Sequence, residues 1–326
     1  KDASQTRYIF TRLSKETRTL FDQKDDAVLT YLDDDGRSIE PEHYMPVLPM
    51  VLVNGTEGIG TGFSCYVPPF NPGDIKANII NFTKGIDMKK MKPWFRGFKG
   101  SILEQDDDSW IAQGVWKCIG KTIKVTDLPP GRWTQDYKEH LDTLVEKKII
   151  SGFTNNSTTE NVDFIIQDYN GKDAVKDLKL QKTIRCSNMH LFHPTKGICK
   201  YNSPGHILVD FIKLRMEYYK KRKAHLIDTT KKKAELCSHR ARFVKMVIDG
   251  DIIVFRRKKQ DLENQLSTLF PKIDDSYDYL LHIKTIEYTD ERVKALFDEW
   301  NKLREEVYLI EATGYFEMWE TDIKKL

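Results

Sequence analysis

Residues 54–64 read NGTEGIGTGFS, with Gly55, Gly58, Gly60 and Gly62 close together behind the apolar, strand-like run MPVLPMVLV of residues 45–53. A glycine-rich turn in that position is a candidate cradle for nucleotide phosphate. A phosphate loop of that kind ends in Gly-Lys-Ser/Thr, but here Gly62 is followed by Phe63. A dinucleotide fingerprint needs a helix directly behind the glycines, so that its N-terminus receives the pyrophosphate. The following FSCYVPPFNP cannot supply one, because Pro68 and Pro69 disfavour helix and lack N–H donors. What remains is a tight turn at which backbone approaches something closely. Ile59, flanked by Gly58 and Gly60, either packs on a neighbouring element or projects into a partner. Apolar wedges on DNA-binding hairpins do the latter, entering between base pairs and kinking the duplex.

Around this stretch the texture changes twice. Residues 1–50 read as a short helical piece, Arg12 to Phe21, followed by loops and a proline-punctuated connector, EPEHYMPVLPM. The acidic triplets Asp33–Asp35 and Asp106–Asp108 stand next to turn signals and read as solvated loops, not as metal ligands. Residues 51–203 mix strand-like alternation (SWIAQGVWKCIG, KTIKVTDL, NVDFIIQDYNG) with helical spacing at Tyr137, Leu141, Leu144 and Val145. Residues 204–326 differ again. Ile207, Phe211, Leu214 and Tyr218, then Cys237, Ala241, Val244 and Ile248, follow steps of three and four. So do Val293, Leu296, Trp300, Leu303, Val307 and Ile310. Between the series lie Gly250, a short apolar helix (Leu262, Leu266, Leu269), Pro271 and YDYLL. The expected class is α+β and multidomain, ending in a long antiparallel coiled-coil arm with a small helical tip. The polar middle of the first long helix, DTTKKKAE, is a candidate flexible joint.

The 326-residue chain carries 52 Lys and Arg against 49 Asp and Glu, a net charge of +3 that decides nothing by itself. No apolar run approaches the roughly 18 residues of a membrane span, and no signal peptide opens the sequence. The five cysteines stand far apart without a C-x-x-C pair, which argues for reduced thiols in an intracellular protein and against a zinc site. Basic residues sit beside aromatics or among small polar side chains: Arg96 and Lys99 in PWFRGFKG, Arg132 and Trp133 in LPPGRWTQ, Lys182 and Arg185 in KLQKTIRCSN. Phosphate contacts want such groups. Tyr8 follows Arg7 in TRYIFTRLS. Such a tyrosine is either a half-buried structural residue or a phosphoryl acceptor whose developing charge a cation or metal stabilises.

Taken together, RYIFTRLS…DDDGRSIEPEHYMPVLPMVLVNGTEGIGTGFSCYVPPFNP, PWFRGF, LPPGRWTQDYKEHL, KLQKTIRCSNMHLF and RMEYYKKRKAHL resemble, in order, the breakage-reunion region of type IIA DNA topoisomerases. The likeness is to the eukaryotic kind, also carried by large DNA viruses, and less to the bacterial gyrase kind. It implies that Tyr8 attacks a DNA phosphodiester and becomes linked to the 5′ end, with Arg7 stabilising the transition state. It implies that Ile59, with Gly58 and Gly60 beside it, intercalates and bends the duplex. Trp133 and the stretch Lys179, Leu180, Gln181, Lys182, Thr183, Ile184, Arg185, Cys186, Ser187 and Asn188 would line the DNA. Residues 1–50 would be the end of a winged-helix domain, 51–203 an α/β tower, and 204–326 the arm and dimerising exit gate. Implied partners are double-stranded DNA and a second copy of the chain. Mg²⁺ and ATP would be bound by domains outside this chain, with no metal ligands within it. The nucleus would be the compartment of a cellular protein, and sites of viral DNA replication that of a viral one. A non-catalytic DNA-bending dimer on the same scaffold is the alternative, and the Arg7–Tyr8 pair speaks against it.

Overall fold

The computed structural model describes residues 5–193 and 195–326. They form a mixed α/β protein of two compact units, one made of residues 46–215 and the other of 1–45 with 216–326. The texture-based division into 1–50, 51–203 and 204–326 is a different partition, because packing joins the first segment to the last. Arg222, far along the chain, takes Asp25 as its partner.

The discontinuous unit opens with a 3-10 turn, Thr6–Tyr8, then α1 (Thr17–Leu20) and α2 (Gln23–Asp26). The helical piece expected over Arg12–Phe21 shrinks to α1. Leu13 lies exposed, so no packed face supports a longer helix. A hairpin not foreseen in the loops follows, β1 (Tyr31–Asp34) and β2 (Arg37–Pro41). Asp35 and Gly36 both take positive φ (51° and 79°), the combination a type I′ turn demands. Its sequence signal, Asp-Gly, is present, but the acidic run masks it.

In the continuous unit the apolar run before the glycines ends in a helix, α3 (Met50–Asn54), started at Pro49, and not in the expected strand. Short apolar runs fit either state. The glycine-rich stretch is a hairpin, β3 (Thr56–Gly60) with β4 (Phe63–Val67). Next comes α4 (Pro72–Thr83), whose start is set by Pro72 at its first turn and by the Asn71 side chain accepting from Gly73 N at 2.7 Å. Then come β5 (Ser101–Asp106), β6 (Ser109–Gln113), β7 (Val115–Ile119), β8 (Thr122–Asp127), α5 (Thr134–Glu146), β9 (Gly152–Asn155), β10 (Phe164–Gln167), α6 (Ala174–Asp177), β11 (Gln181–Arg185), β12 (Met189–His193) and β13 (Gly197–Tyr201). The antiparallel sheet β7-β8-β10-β9 buries Ile123, Val125, Phe164 and Ile166 against Tyr137, Leu141 and Leu144 of α5. The helical spacing marks this same face of α5. A second sheet has the order β11-β6-β5.

The 45-residue helix α7 (Pro204–Ile248) leaves this unit and continues into the other. There α8 (Lys259–Leu266) and α9 (Asp278–Leu281) pack Leu262, Leu266 and Leu280 around Phe243, Phe270 and Tyr277. The chain returns in α10 (Asp290–Ala312) and ends in α11 (Tyr315–Ile323). Cys237, Ala241 and Val244 of α7 pack on Leu296 of α10, with Val293, Trp300 and Leu303 alongside. The Cys237 thiol donates to Leu296 O at 3.1 Å, and the Lys223 ammonium, earlier on α7, donates to Glu311 O at the far end of α10. The two helices therefore run antiparallel, as their apolar spacing requires.

The polar middle of α7 stays helical, but only Thr230 and Ala234 are buried there. Thr229 donates its hydroxyl back to His225 O, a bond that loosens a helix. We expect the amides of residues 228–235 to exchange faster than those around Tyr219 or Val244, checked by hydrogen exchange with mass spectrometry. Equal protection along the helix would count against a joint.

Candidate nucleic-acid interface

In the continuous unit the β3–β4 hairpin closes through Thr61 and Gly62, with Gly62 at φ +84°. Ile59 pairs with Ser64 just short of that turn and is 93% exposed. Of the two possibilities for this residue, packing on a neighbour is thereby removed. Gly58 has nothing within 4 Å of where a Cβ would stand. Gly60 differs: a Cβ there would lie 2.9 Å from the Phe63 ring, so its bareness makes room for that ring. The Tyr66 hydroxyl is pushed up from its ordinary pKa by burial and then by the Glu57 carboxylate across the hairpin.

At the base of the hairpin a cleft of about 330 Å³ is lined by Thr56, Glu57 and Tyr66 on one side and Pro130, Gly131 and Lys182 on the other. The Lys182 ammonium donates to Pro130 O at 3.2 Å, tying β11 to the turn that leads into α5. Trp133 caps that turn at the start of α5 and is 67% exposed. The fold thus assembles the hairpin base, β11 and the Trp133 turn around one groove, although they lie far apart in sequence.

Along residues 179–188 the structure divides the expected lining residues. Lys179, Gln181, Lys182, Thr183, Arg185 and Ser187 are exposed. Leu180, Ile184 and Cys186 are buried, and this corrects the expectation that the whole stretch offers side chains to a partner. The strand's alternation turns Ile184 and Cys186 to the core, and Leu180 joins the cluster around Phe164. Burial and then the Asp108 carboxylate push the Cys186 thiol up to about 12, as suits an inert core thiol. Asn188, half-buried, turns its amide to the hairpin, donating to Ser64 Oγ at 2.8 Å. His190, which the sequence did not single out, stands beside it and donates from Nδ1 to Ser64 O at 3.0 Å. Neither bond leaves a local signal in sequence, since each spans more than a hundred residues.

In the other unit Tyr8 closes the first turn, its N–H donating to Gln5 O at 2.9 Å. Its side chain is 69% exposed, which excludes a half-buried structural tyrosine. The Arg7 guanidinium lies 5.2 Å from the ring centroid, a cation–π distance. Among the described residues no group of three or more His, Cys, Asp or Glu could hold a metal ion, and no helix is long and apolar enough to cross a membrane.

The DNA gyrase/topoisomerase IV family model matches residues 1–324. The DNA topoisomerase 2 of Arabidopsis thaliana is 35% identical over the whole chain, which covers 26% of that protein. That of Acanthamoeba polyphaga mimivirus is 32% identical, over 99% of the chain and 32% of the relative. The crystal structure of the Plasmodium falciparum topoisomerase II DNA-binding, cleavage and re-ligation domain superposes on the whole chain and on 49% of that structure, with TM-score 0.88 and 32% identity. This chain belongs to the type IIA DNA topoisomerase family. It spans about a quarter to a third of the length of these two curated relatives.

Proposed function

We infer that the chain is the breakage-reunion region of a type IIA DNA topoisomerase, an ATP-hydrolysing isomerase acting as a homodimer on double-stranded DNA. The observation that carries this reading is the full-length likeness to a solved DNA-cleavage and re-ligation domain. The Tyr8 hydroxyl attacks a backbone phosphorus. A bond forms between the tyrosine oxygen and phosphorus, the bond from phosphorus to the 3′ oxygen breaks, and that oxygen leaves with the proton. The 5′ end is then held on Tyr8 as a phosphodiester. Because the ester is exchanged and not hydrolysed, the 3′ hydroxyl can reverse the step and reseal the strand without ATP. Arg7 supplies positive charge beside the nucleophile, where charge develops. Two copies, one Tyr8 per strand, would open a gate for a second duplex.

Mg²⁺ bears on the charge at phosphorus in such chemistry. The described residues do not fit it, and we derive no step through it. Its ligands and the ATP site belong, in this reading, to other parts of the protein. Residues 1–50 are read as the end of a winged-helix domain, 51–203 as the tower, and 204–326 as a coiled-coil arm. Exposed Ile253, Phe255 and Ile286 around its tip suit a dimerising exit gate. A cellular protein of this kind would work in the nucleus, and a viral one where viral DNA replicates.

Full-length protein mixed with end-labelled duplex and Mg²⁺, then quenched with SDS, should carry DNA on its 5′ end. Tight binding and bending without any adduct would favour a non-catalytic DNA bender instead. Ile59→Ala should lower the bent fraction, read by fluorescence transfer between duplex ends, about tenfold or more, since unstacking a base step costs a few kcal/mol.

A further inference from the structure

A two-stranded hairpin is marginal alone in water, and β3–β4 carries its wedge at the exposed end. To enter a base stack, Ile59 must push against the unstacking cost without its own support folding away. Something else must hold the hairpin.

The support comes from β12. Tyr66 N donates to Asn188 O at 2.8 Å, the Asn188 amide donates to Ser64 Oγ at 2.8 Å, and His190 Nδ1 donates to Ser64 O at 3.0 Å. All three bonds land on β4, and two of them on Ser64, the cross-strand partner of Ile59. The His190 ring also lies 6.1 Å from the Phe63 ring, which fills the space left by Gly60, next to Ile59. A backbone ladder between β4 and β12 would have served strand pairing alone. Here side chains take over that role at the one residue facing the wedge.

We propose that Asn188 and His190 are positioning residues that brace the β3–β4 hairpin so that Ile59 is held rigid enough to enter the duplex. This rests on the DNA-bending role given to Ile59 above. Asn188 then acts on DNA through Ile59 and not by lining it. The brace costs nothing at binding, because its bonds stand before DNA arrives. It also makes wedge insertion depend on a residue outside the glycine-rich segment.

The test compares His190→Ala, Asn188→Ala, His190→Asn and Ile59→Ala in the full-length protein. Bending is read by fluorescence transfer on an intact duplex and on one with a mismatch at the kinked step, where unstacking is cheaper. His190→Ala and Asn188→Ala should each lower the bent fraction on intact duplex roughly five- to tenfold, the effect of losing one hydrogen bond or slightly more. They should recover on the mismatched duplex, with unfolding midpoints close to wild type. His190→Asn keeps a donor where Nδ1 stood but loses the ring, and should restore part of the loss. Normal bending by both brace variants while Ile59→Ala fails to bend would overturn the brace and leave the wedge standing. Equal loss on both duplexes would mean a folding role and would also overturn it. Normal bending by Ile59→Ala would remove the wedge reading, and the brace with it.

Discussion

Tyr8→Phe is expected to leave DNA binding within about twofold and to abolish the 5′ adduct, a fall in cleavage of about a thousandfold or more. The change removes one oxygen from a side chain that is 69% exposed and makes no hydrogen bond needed by a core, so the unfolding midpoint should not move. Arg7→Ala should be milder in kind. It removes charge that lies over the ring, while the nucleophile stays, so cleavage should persist at a level lower by roughly 10²-fold. A gel of SDS-trapped complexes against end-labelled DNA reads both. An adduct that survives Tyr8→Phe would mean that another tyrosine is the nucleophile. Tyr44 and Tyr31 are also exposed, and peptide mapping of the adduct would tell them apart.

That assignment shows what the sequence could and could not disclose. Periodicity carried the long helices: the apolar steps on α7 and α10 predicted which residues meet, and Cys237, Ala241, Val244 and Leu296 do meet. The argument against a nucleotide loop also held, since the glycine-rich stretch is a hairpin and α4 begins only at Pro72. Alternation alone did not reveal which side of residues 179–188 faces outward. Reading the whole stretch as a lining placed Leu180, Ile184 and Cys186 on the wrong side. Bonds between distant segments were the least visible. Nothing near Ser64 announces Asn188 or His190, and nothing near Asp25 announces Arg222, because partners far apart in sequence leave no periodic trace.

Arg222 gives the largest expected effect on stability. Its side chain is 2% exposed, with Nε donating to Asp25 Oδ1 at 2.6 Å, Nη2 to Asp25 Oδ2, and Nη1 to Asp322 Oδ2 at 2.6 Å. Tyr219 donates to the same Asp322 oxygen at 2.9 Å, and its ring lies 4.7 Å from the guanidinium. Burial disfavours the charge on Arg222, but the hydrogen bonds and charge of Asp25 outweigh it and hold the group firmly cationic. Burial likewise opposes ionisation of Asp322. Lys325 and then Arg222 overcome it, leaving the carboxyl below its ordinary 3.8. The cluster joins the segment that follows Tyr8 to α7 and α11. Arg222→Ala strands two buried carboxylates and should destabilise this unit by about 3–5 kcal/mol, whereas removing the exposed Lys232–Asp228 pair should cost under about 0.5 kcal/mol. Replacing the cluster whole, with Arg222→Met, Asp25→Leu and Asp322→Leu, should recover most of the loss, because no uncompensated charge remains buried. Because the folded pKa of Asp322 is depressed, its contribution is present above about pH 4 and lost as pH falls through the folded value. Asp322→Asn should therefore flatten the acid limb of stability. Urea unfolding followed by circular dichroism, from neutral pH down to about pH 3, reads all of these. A single Arg222→Ala loss no larger than that of Lys232→Ala would mean that the cluster is solvated in solution, and that the Tyr8 segment is held to α7 by something else.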